Sequence, residues 1–218
     1  LASTLATDQA DRGRDPHRAD VTVSHDPATW DEMNALDDSL RTTPGVTTVH
    51  TTLYLWATDV ATGTQTFGVT VAPCATLQEI ALIEQCTDGD VFIIPDPFNP
   101  SPTPGDRLTL ETLGGEQPPE WTLPASTRTV PAKQPQLGSM HANLLVTPSA
   151  LPPEAFIPAS GYALSFVWLD PAQADAVEHV RTTVWRKSPT YATDSSDAEA
   201  EQIATAGRAL LPGAAAMM

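Results

Sequence analysis

The chain has 218 residues, of which 41% are hydrophobic, and its 27 Asp and Glu outnumber its 11 Lys and Arg to give a formal net charge of −16. This length and apolar content suffice for one or two globular domains, which excludes wholesale disorder. An acidic surface repels phosphate groups, which argues against nucleic acid or anionic lipid as the main partner. Ala, Thr and Pro abound while Lys133 and Lys187 are the only lysines, a bias typical of a high-GC bacterial genome.

The two ends of the chain are predicted to be helices. Residues 1–19 are predicted to continue from an upstream membrane span, and residues 195–218 to lead into a downstream one, opening with a capping-box pattern at Ser196 and Glu199. The last ten residues carry no charge. Uncharged ends are typical of a loop excised from between two hydrophobic spans, and frayed termini are the alternative. No apolar run inside the chain reaches the length of a membrane span.

An Asp-Pro-Ala triplet occurs twice, at Asp26 and again at Asp170. Asp before Pro favours a helix start, because the carboxylate accepts an orphan amide bond and Pro fits the first helical position. Apolar residues follow each triplet at the spacing of one helix face. They are Trp30, Met33, Leu36 and Leu40 in the first copy and Ala174, Val177, Val180 and Val184 in the second. A predicted strand precedes each helix, at 20–24 and at 163–169.

The fold class predicted from this repeat is α+β. Residues 20–72 and 161–194 are predicted to be the two β-α-β halves, and two such halves can pair into one ferredoxin-like base. Residues 73–160 are predicted to form an inserted β-rich lobe. Fourteen of the 21 prolines fall between residues 95 and 158, and proline removes backbone donors, so short strands and loops are expected there.

Within the lobe, four short strands are predicted at 106–111, 120–123, 127–130 and 143–147. Ser149 is predicted to cap one helical turn at 152–156. Before these, a hairpin is predicted around Thr62 and Gly63, with Phe67, Val69 and Val71 alternating on its second arm.

Cys74 and Cys86 form a candidate disulfide. A straight helix between them would hold their Cα atoms about 15 Å apart or more, whereas a disulfide needs about 4 to 7 Å. The bridge therefore requires a helix of about two turns, after which the chain doubles back. Two unpaired buried thiols are the alternative. A zinc site is disfavoured because no His lies at ligand spacing from either cysteine.

Catalytic and metal-binding motifs are absent from the sequence. No Gly-x-Ser-x-Gly elbow occurs, and the nearest approach to a nucleophile and base is Ser139 with His141. The five histidines share no ligand motif and are expected to be surface or structurally bonded; they are His17, His25, His50, His141 and His179. No phosphate loop or dinucleotide fingerprint exists. The chain is therefore predicted to be non-catalytic, with no cofactor and no metal.

Acidic clusters are the remaining candidates for chemistry. Asp88, Asp90 and Asp96 lack the full order of a calcium loop, so a Gly-centred turn is the preferred interpretation. The pairs Asp31, Glu32 and Asp37, Asp38 lie opposite the apolar stripe of the first helix, where solvation is expected. A hydrolase remains possible only if distant His and acidic residues converge on a hydroxyl in the fold.

Five short motifs follow one another along the chain. They are Asp26-Pro27 with Thr43-Pro44-Gly45-Val46, the stretch Cys74 to Phe92 ending in Asp88-Gly89-Asp90-Val91-Phe92, Pro104-Gly105-Asp106 with Leu108 and Leu110, Leu169-Asp170-Pro171 with its helix, and Arg208 to Met218. In this order of motifs the chain resembles the extracytoplasmic domain of FtsX-like or MacB-like ABC transporter permeases.

The resemblance implies that the base of two β-α-β halves is porter-like. It also implies a domain on the outer face of the cell membrane between two transmembrane helices, with an ATP-binding subunit that drives those helices. It implies a mechanical role, in which motion of the spans acts on an extracytoplasmic substrate or partner protein. A permease dimer or a second permease is a further implied partner. The alternative is an extracellular ligand- or cell-wall-binding domain not coupled to a transporter, with an enclosed pocket lined by aromatics such as Trp121 and Phe98.

Overall fold

The computed structural model describes residues 19–25, 30–95, 100–111, 119–131, 142–152, 162–187 and 192–195. In chain order the elements are β1 (Val21–His25), α1 (Trp30–Arg41), β2 (Val46–Asp59), β3 (Thr66–Val71), α2 (Cys74–Ile80), β4 (Val91–Ile93), β5 (Arg107–Leu110), β6 (Glu120–Thr122), β7 (Arg128–Thr129), β8 (Ala142–Val146), a 3₁₀ turn (Pro148–Ala150), β9 (Tyr162–Leu169), α3 (Ala176–Lys187) and β10 (Ala192–Ser195).

The chain divides into two compact units. The terminal unit comprises Leu1–Val23, Leu40–Val49 and Phe166–Met218, and the central unit comprises Ser24–Ser39 and His50–Ser165. The predicted α+β class is confirmed in this coarse form, because helices accompany a sheet that contains both parallel and antiparallel pairs. None of the helices in the described ranges is long and apolar enough to cross a membrane.

In the terminal unit, four strands lie side by side in the order β10, β1, β9, β2. The Asp20 carboxylate accepts a hydrogen bond from the Leu169 amide at 2.7 Å, and Thr47 donates to the Trp168 carbonyl at 3.0 Å. The apolar residues of this unit that are buried include Val21, Val23, Leu40, Val49, Val167, Val180 and Val184. The first and second β-α-β segments of the sequence therefore share one part of the sheet.

The second Asp-Pro-Ala triplet does not open a helix, contrary to the sequence prediction. Asp170 begins a turn in which its carboxylate accepts the Ala172 amide at 2.9 Å and its carbonyl accepts the Gln173 amide at 3.0 Å. The helix starts at Ala176. As a result Ala174 lies exposed in the turn, while Val180 and Val184 are buried as predicted. The first triplet lies outside the described residues, but the helix after it buries Met33, Leu36 and Leu40.

In the central unit, neighbouring strands follow the order β9, β2, β3, β8, β4, β7, and β5 pairs with both β2 and β6. The β2–β3 hairpin is antiparallel with Leu53 opposite Val71 and Ala57 opposite Phe67. The loop between its arms contains Thr62 and Gly63, as predicted. β3 and β8 run parallel, whereas β4 and β8 run antiparallel.

Two apolar clusters cover opposite faces of β8 in this unit. Leu144 and Val146 belong to a large cluster that includes Met33 of α1, and Leu145 belongs to a smaller one under α2. Side chains alternate between the two faces of a strand, so these neighbours must point apart. The larger cluster also contains Leu53, Leu55, Phe67, Val69, Val71, Leu108, Leu110 and Trp121, and the smaller one contains Leu77, Ile83 and Phe92.

The four short strands predicted for the Pro-rich region are present as β5, β6, β7 and β8, each within two residues of its expected bounds. Ser149 lies inside the 3₁₀ turn Pro148–Ala150, and Pro152 is not helical. Residues 153–156, the rest of the turn predicted after Ser149, lie outside the described residues. Residues 1–18 and 196–218, for which terminal helices were predicted, lie outside the described residues. The domain boundaries at 73, 161 and 195 stay predictions.

Candidate functional site

A chain of polar side chains lies in the central unit, where β1, β9, β2 and α1 contribute one residue each. The His25 Nε2 atom lies 3.3 Å from the Ser165 hydroxyl. That hydroxyl lies 2.9 Å from the Thr51 hydroxyl, which donates to the Asp37 carboxylate at 2.9 Å. A histidine and an acid thus converge on hydroxyl groups, which is the condition that the sequence left open for a hydrolase.

The burial of this polar chain argues against nucleophilic catalysis. Ser165 is fully buried in the middle of β9, and His25 and Thr51 are also buried. A nucleophile must reach a substrate carbonyl or phosphoryl group, and the Ser165 hydroxyl is already engaged by Thr51. Buried polar groups are normally hydrogen-bonded to one another. The arrangement therefore joins three strands to α1, and Asp37, which the sequence assigned to solvent, is half-buried and takes part in it.

The two cysteines are joined, with their Cα atoms 5.6 Å apart. Cys74 opens α2, which lasts only seven residues, and Ala81 after it is extended with φ −137° and ψ 162°. The chain then returns past Ile83 to Cys86, which packs against the smaller apolar cluster. Both conditions set for the bridge, a short helix and a reversal, are thus present in the fold.

The acidic turn before β4 binds an arginine. Gly89 has φ +98°, and its amide donates to the Thr147 hydroxyl at 2.8 Å. The Asp90 carboxylate accepts the Thr87 amide at 2.9 Å and pairs with Arg128 at 2.7 Å. Arg128 also lies over the Phe92 ring, 4.7 Å from its centroid. Over the described ranges, no group of three metal-ligating side chains comes together, and Asp96 lies outside them.

The described histidines contact neighbours in the fold. His50 Nδ1 lies 3.2 Å from the Thr76 hydroxyl, and His179 Nδ1 lies 3.3 Å from the Pro44 carbonyl. His17 and His141, together with Ser139, lie outside the described residues.

Three aromatic rings that the sequence did not predict to lie together form a cluster on the central unit. Tyr54 is buried, with its ring centroid 5.1 Å from that of Trp56 and 5.4 Å from that of Tyr162. Trp56 and Tyr162 are exposed, at 37% and 36%. We call Tyr54, Trp56 and Tyr162 the aromatic cluster. The signal in the sequence was the spacing of Tyr54 and Trp56, which places both on one face of a strand.

Trp121, which the ligand-binding alternative places in the lining of a pocket, is part of the protein core. It is buried in the larger apolar cluster, and its indole nitrogen donates to the Ala150 carbonyl at 3.0 Å. Phe98, its expected companion, lies outside the described residues.

Tyr54 is expected to make stability depend on alkaline pH. Burial raises its pKa to about 12, with a smaller contribution from Tyr162, compared with about 10 for a tyrosine in an unfolded chain. The folded protein therefore binds this proton more tightly than the unfolded chain does. The resulting contribution to the free energy of unfolding is present below about pH 10 and is lost as the pH rises toward about 12. Denaturant unfolding across this range should show a smaller loss for Tyr54→Phe than for the wild type, and equal losses would contradict the prediction.

No protein-family profile and no curated protein sequence matches the chain. Among solved structures, the chain is similar to the periplasmic region of MacB from Actinobacillus actinomycetemcomitans, with a TM-score of 0.43 and 10% identity over 84% of this chain and 92% of the other. It is also similar to a domain of a candidate permease protein from Porphyromonas gingivalis, with a TM-score of 0.40 and 15% identity over 82% of this chain and 90% of the other.

Proposed function

We propose that the chain is the non-catalytic extracytoplasmic domain of an ABC transporter permease of the FtsX-like or MacB-like type. The observation that supports this is the strand order β10, β1, β9, β2 in the terminal unit. Counted along the two β-α-β segments, the order is fourth, first, third, second, which is the order of a ferredoxin-like sheet formed from two split units. The proposed base has residues 20–72 and 161–194 as its halves and residues 73–160 as its inserted lobe.

Contacts between the two halves support a mechanical role for this base. The Thr43 and Thr183 hydroxyls lie 2.9 Å apart, and the Asp170 amide donates to the Gly45 carbonyl at 2.8 Å. Each contact joins residues more than 120 positions apart in the chain. A base that transmits motion between two membrane spans must resist deformation, and these contacts tie the turn before β2 to the segment around α3.

The remaining parts of the proposal follow from the same assignment. Motion of the flanking spans would be driven by an ATP-binding subunit, within a permease dimer or beside a second permease. The domain would lie on the outer face of the cell membrane and act on an extracytoplasmic substrate or partner protein. Burial of Ser165 supports a role without catalysis in this chain.

The test uses the full-length permease, expressed with its ATP-binding subunit in intact cells. Ala61→Cys places a thiol in the exposed hairpin turn between β2 and β3. The permease without this substitution serves as the background, because Cys74 and Cys86 are bridged and any thiol outside residues 1–218 is labelled equally in both proteins. A membrane-impermeant maleimide should label this thiol from outside the cell. The labelling rate should differ between cells that carry the wild-type ATP-binding subunit and cells that carry an ATPase-inactive one. Labelling only after lysis would contradict the location, and equal rates would contradict the coupling.

The aromatic cluster favours a second candidate, a cell-wall-binding domain not coupled to a transporter. The exposed rings of Trp56 and Tyr162 offer flat apolar faces, which suit stacking against the apolar faces of sugar rings. In a sedimentation assay with purified cell walls, this candidate predicts binding by the wild type and loss of binding for Trp56→Ala. Retained binding by that variant would remove the support.

A further inference from the structure

The aromatic cluster lies on the face of the sheet that points away from the larger apolar cluster. Ala57 follows Trp56 and Ala163 follows Tyr162, and both alanines belong to that larger cluster. Side chains alternate between the two faces of a strand, so the rings point the other way. The plane of the buried Tyr54 ring makes an angle of 88° with that of Trp56 and 35° with that of Tyr162. Both partly exposed rings therefore contact the same buried ring.

A carboxylate lies beside this cluster. The Glu111 amide donates to the Trp56 carbonyl at 2.9 Å, one residue beyond the Ala57–Leu110 pair that joins β2 and β5. Opposite residues of an antiparallel pair place their side chains on the same face, with Cβ atoms about 5 Å apart. Leu110 belongs to the larger apolar cluster, so the exposed Glu111 points to the other face, beside the Trp56 indole.

The hydroxyl groups near the indole are engaged with one another and with this carboxylate. Thr58 donates to Glu111 Oε1 at 3.3 Å, and its hydroxyl lies 3.5 Å from that of Thr66. On β3 the residue opposite Trp56 is Gly68, which has no side chain. The surroundings of the indole therefore offer ring faces and a carboxylate, whereas their hydroxyl groups already have partners.

We propose that Trp56, Tyr162 and Glu111, the cation site, bind a small organic cation that carries a quaternary ammonium group. The face of an aromatic ring attracts cations, and tryptophan does so most strongly. The carboxylate adds a second attraction of the same sign. A quaternary ammonium group has no hydrogen to donate, so it requires no hydrogen-bond acceptor at the site. A lysine ammonium has three donors, which would lose water there without a replacement.

Charge within the protein also favours a soluble cation. Over the described ranges, no lysine or arginine pairs with Glu111. The ring that a described guanidinium covers is that of Phe92, which lies outside the cation site. The net charge of −16 raises the local concentration of cations around the protein. The same charge repels the phosphate of a phosphatidylcholine headgroup, which favours a soluble cation over a lipid that carries the same ammonium group.

The experiment titrates the purified chain with choline and, in parallel, with neohexyl alcohol, in which a neutral carbon replaces the nitrogen of choline. NMR follows the Trp56 indole N–H and the ring protons of Tyr162. We expect saturable shifts with choline, and an affinity for the alcohol that is lower by about fivefold.

Two variants separate the ring from the charge. Trp56→Leu keeps an apolar side chain without the ring and should lower the affinity for choline about threefold, read at Tyr162. Glu111→Gln removes the charge and should lower the affinity about twofold to threefold. The matched control is Glu84→Gln, which removes an exposed carboxylate from the disulfide-bridged segment and should bind choline like the wild type.

Four results would overturn the proposal. Equal affinities for choline and the alcohol would indicate apolar contact alone, and wild-type affinity in both site variants would place the cation elsewhere. Shifts with an N-acetylglucosamine oligomer but not with choline would support the cell-wall candidate instead. Shifts with phosphatidylcholine nanodiscs at lower ammonium concentrations than with free choline would assign the group to a lipid.

Thermal unfolding of each variant checks that the substitutions leave the fold intact. The inference goes beyond the proposed function, since binding of a cation requires neither the membrane spans nor the ATP-binding subunit. The titration uses the isolated chain, so its failure leaves the labelling test of the permease unaffected.

Discussion

Replacing Gly45 with alanine is expected to lower the free energy of unfolding by about 3 kcal/mol. Gly45 has φ +84°, a conformation that costs a residue with a Cβ about 1 to 2 kcal/mol. A Cβ at this position would lie 2.6 Å from the Ala176 Cβ and 3.1 Å from the Gln173 Cβ. Such overlap in a packed region adds about 1 to 3 kcal/mol. The measurement is denaturant unfolding of the wild type and the variant.

The matched control for this prediction is Gly63→Ala. Gly63 also has a positive φ, +65°, but no atom lies within 4 Å of its added Cβ. The control therefore keeps the backbone cost, about 1 kcal/mol, and omits the overlap. The difference between the two variants measures how closely the turn before β2 approaches the start of α3. Equal destabilisation would contradict the close approach of these two segments.

The close approach at Gly45 also bears on the proposed function. Gly45 belongs to the first β-α-β segment and Ala176 to the second, and their contact lies beside the hydrogen bond from the Asp170 amide to the Gly45 carbonyl. If the base transmits motion, Gly45→Ala should reduce nucleotide-dependent labelling of the full permease more than Gly63→Ala does.

Local periodicity predicted much of the fold. The spacing of Met33, Leu36 and Leu40 marked the buried side of α1, and the alternation of Phe67, Val69 and Val71 marked β3. These signals succeed because each element must bury one face against the rest of the chain. The element order of both β-α-β segments was predictable for the same reason.

The start of α3 could not be predicted, because Asp-Pro is compatible with two local structures. Asp170 caps a turn with its carboxylate just as it could cap a helix. In the fold the Asp170 amide also donates to the distant Gly45 carbonyl, a contact that the sequence does not show. That contact holds the turn at the end of β9, and the helix begins only after it, at Ala176.

The candidate sites were harder to predict than the fold, because their residues come from separate elements. Thr51 and Ser165 are ordinary strand residues in the sequence, and only the pairing of β2 with β9 brings their hydroxyls together. The ligand-binding alternative places Trp121 in a pocket on its residue type alone, whereas its position opposite Leu108 in the β5–β6 pair places it in the core. Residue type suggests a role, and the partner strand decides whether the side chain is accessible.

Removing the disulfide is expected to lower the free energy of unfolding by about 3 kcal/mol. The bridge closes a segment with a sequence separation of 12. Closing a loop of roughly this length lowers the conformational entropy of the unfolded chain, which raises the free energy of the unfolded state by about 3 kcal/mol. Denaturant unfolding of Cys74→Ala with Cys86→Ala, compared with the wild type, measures the loss. The bridged segment carries Leu77, Ala81 and Ile83 into the cluster with Phe92 and Leu145, so the smaller apolar cluster should loosen before the larger one.

Reduction supplies the internal control for this prediction. A thiol reductant should shift the wild-type unfolding curve toward that of the double variant, and the double variant itself should not respond. Hydrogen exchange at Phe92 and Leu145 should rise in both cases, while exchange at Leu53 and Val69 in the larger cluster changes less. If the wild type purified from its native compartment has two free thiols by mass spectrometry, the bridge is absent in the cell. Disulfides persist in oxidising compartments, so that result would also weaken the proposed location outside the membrane.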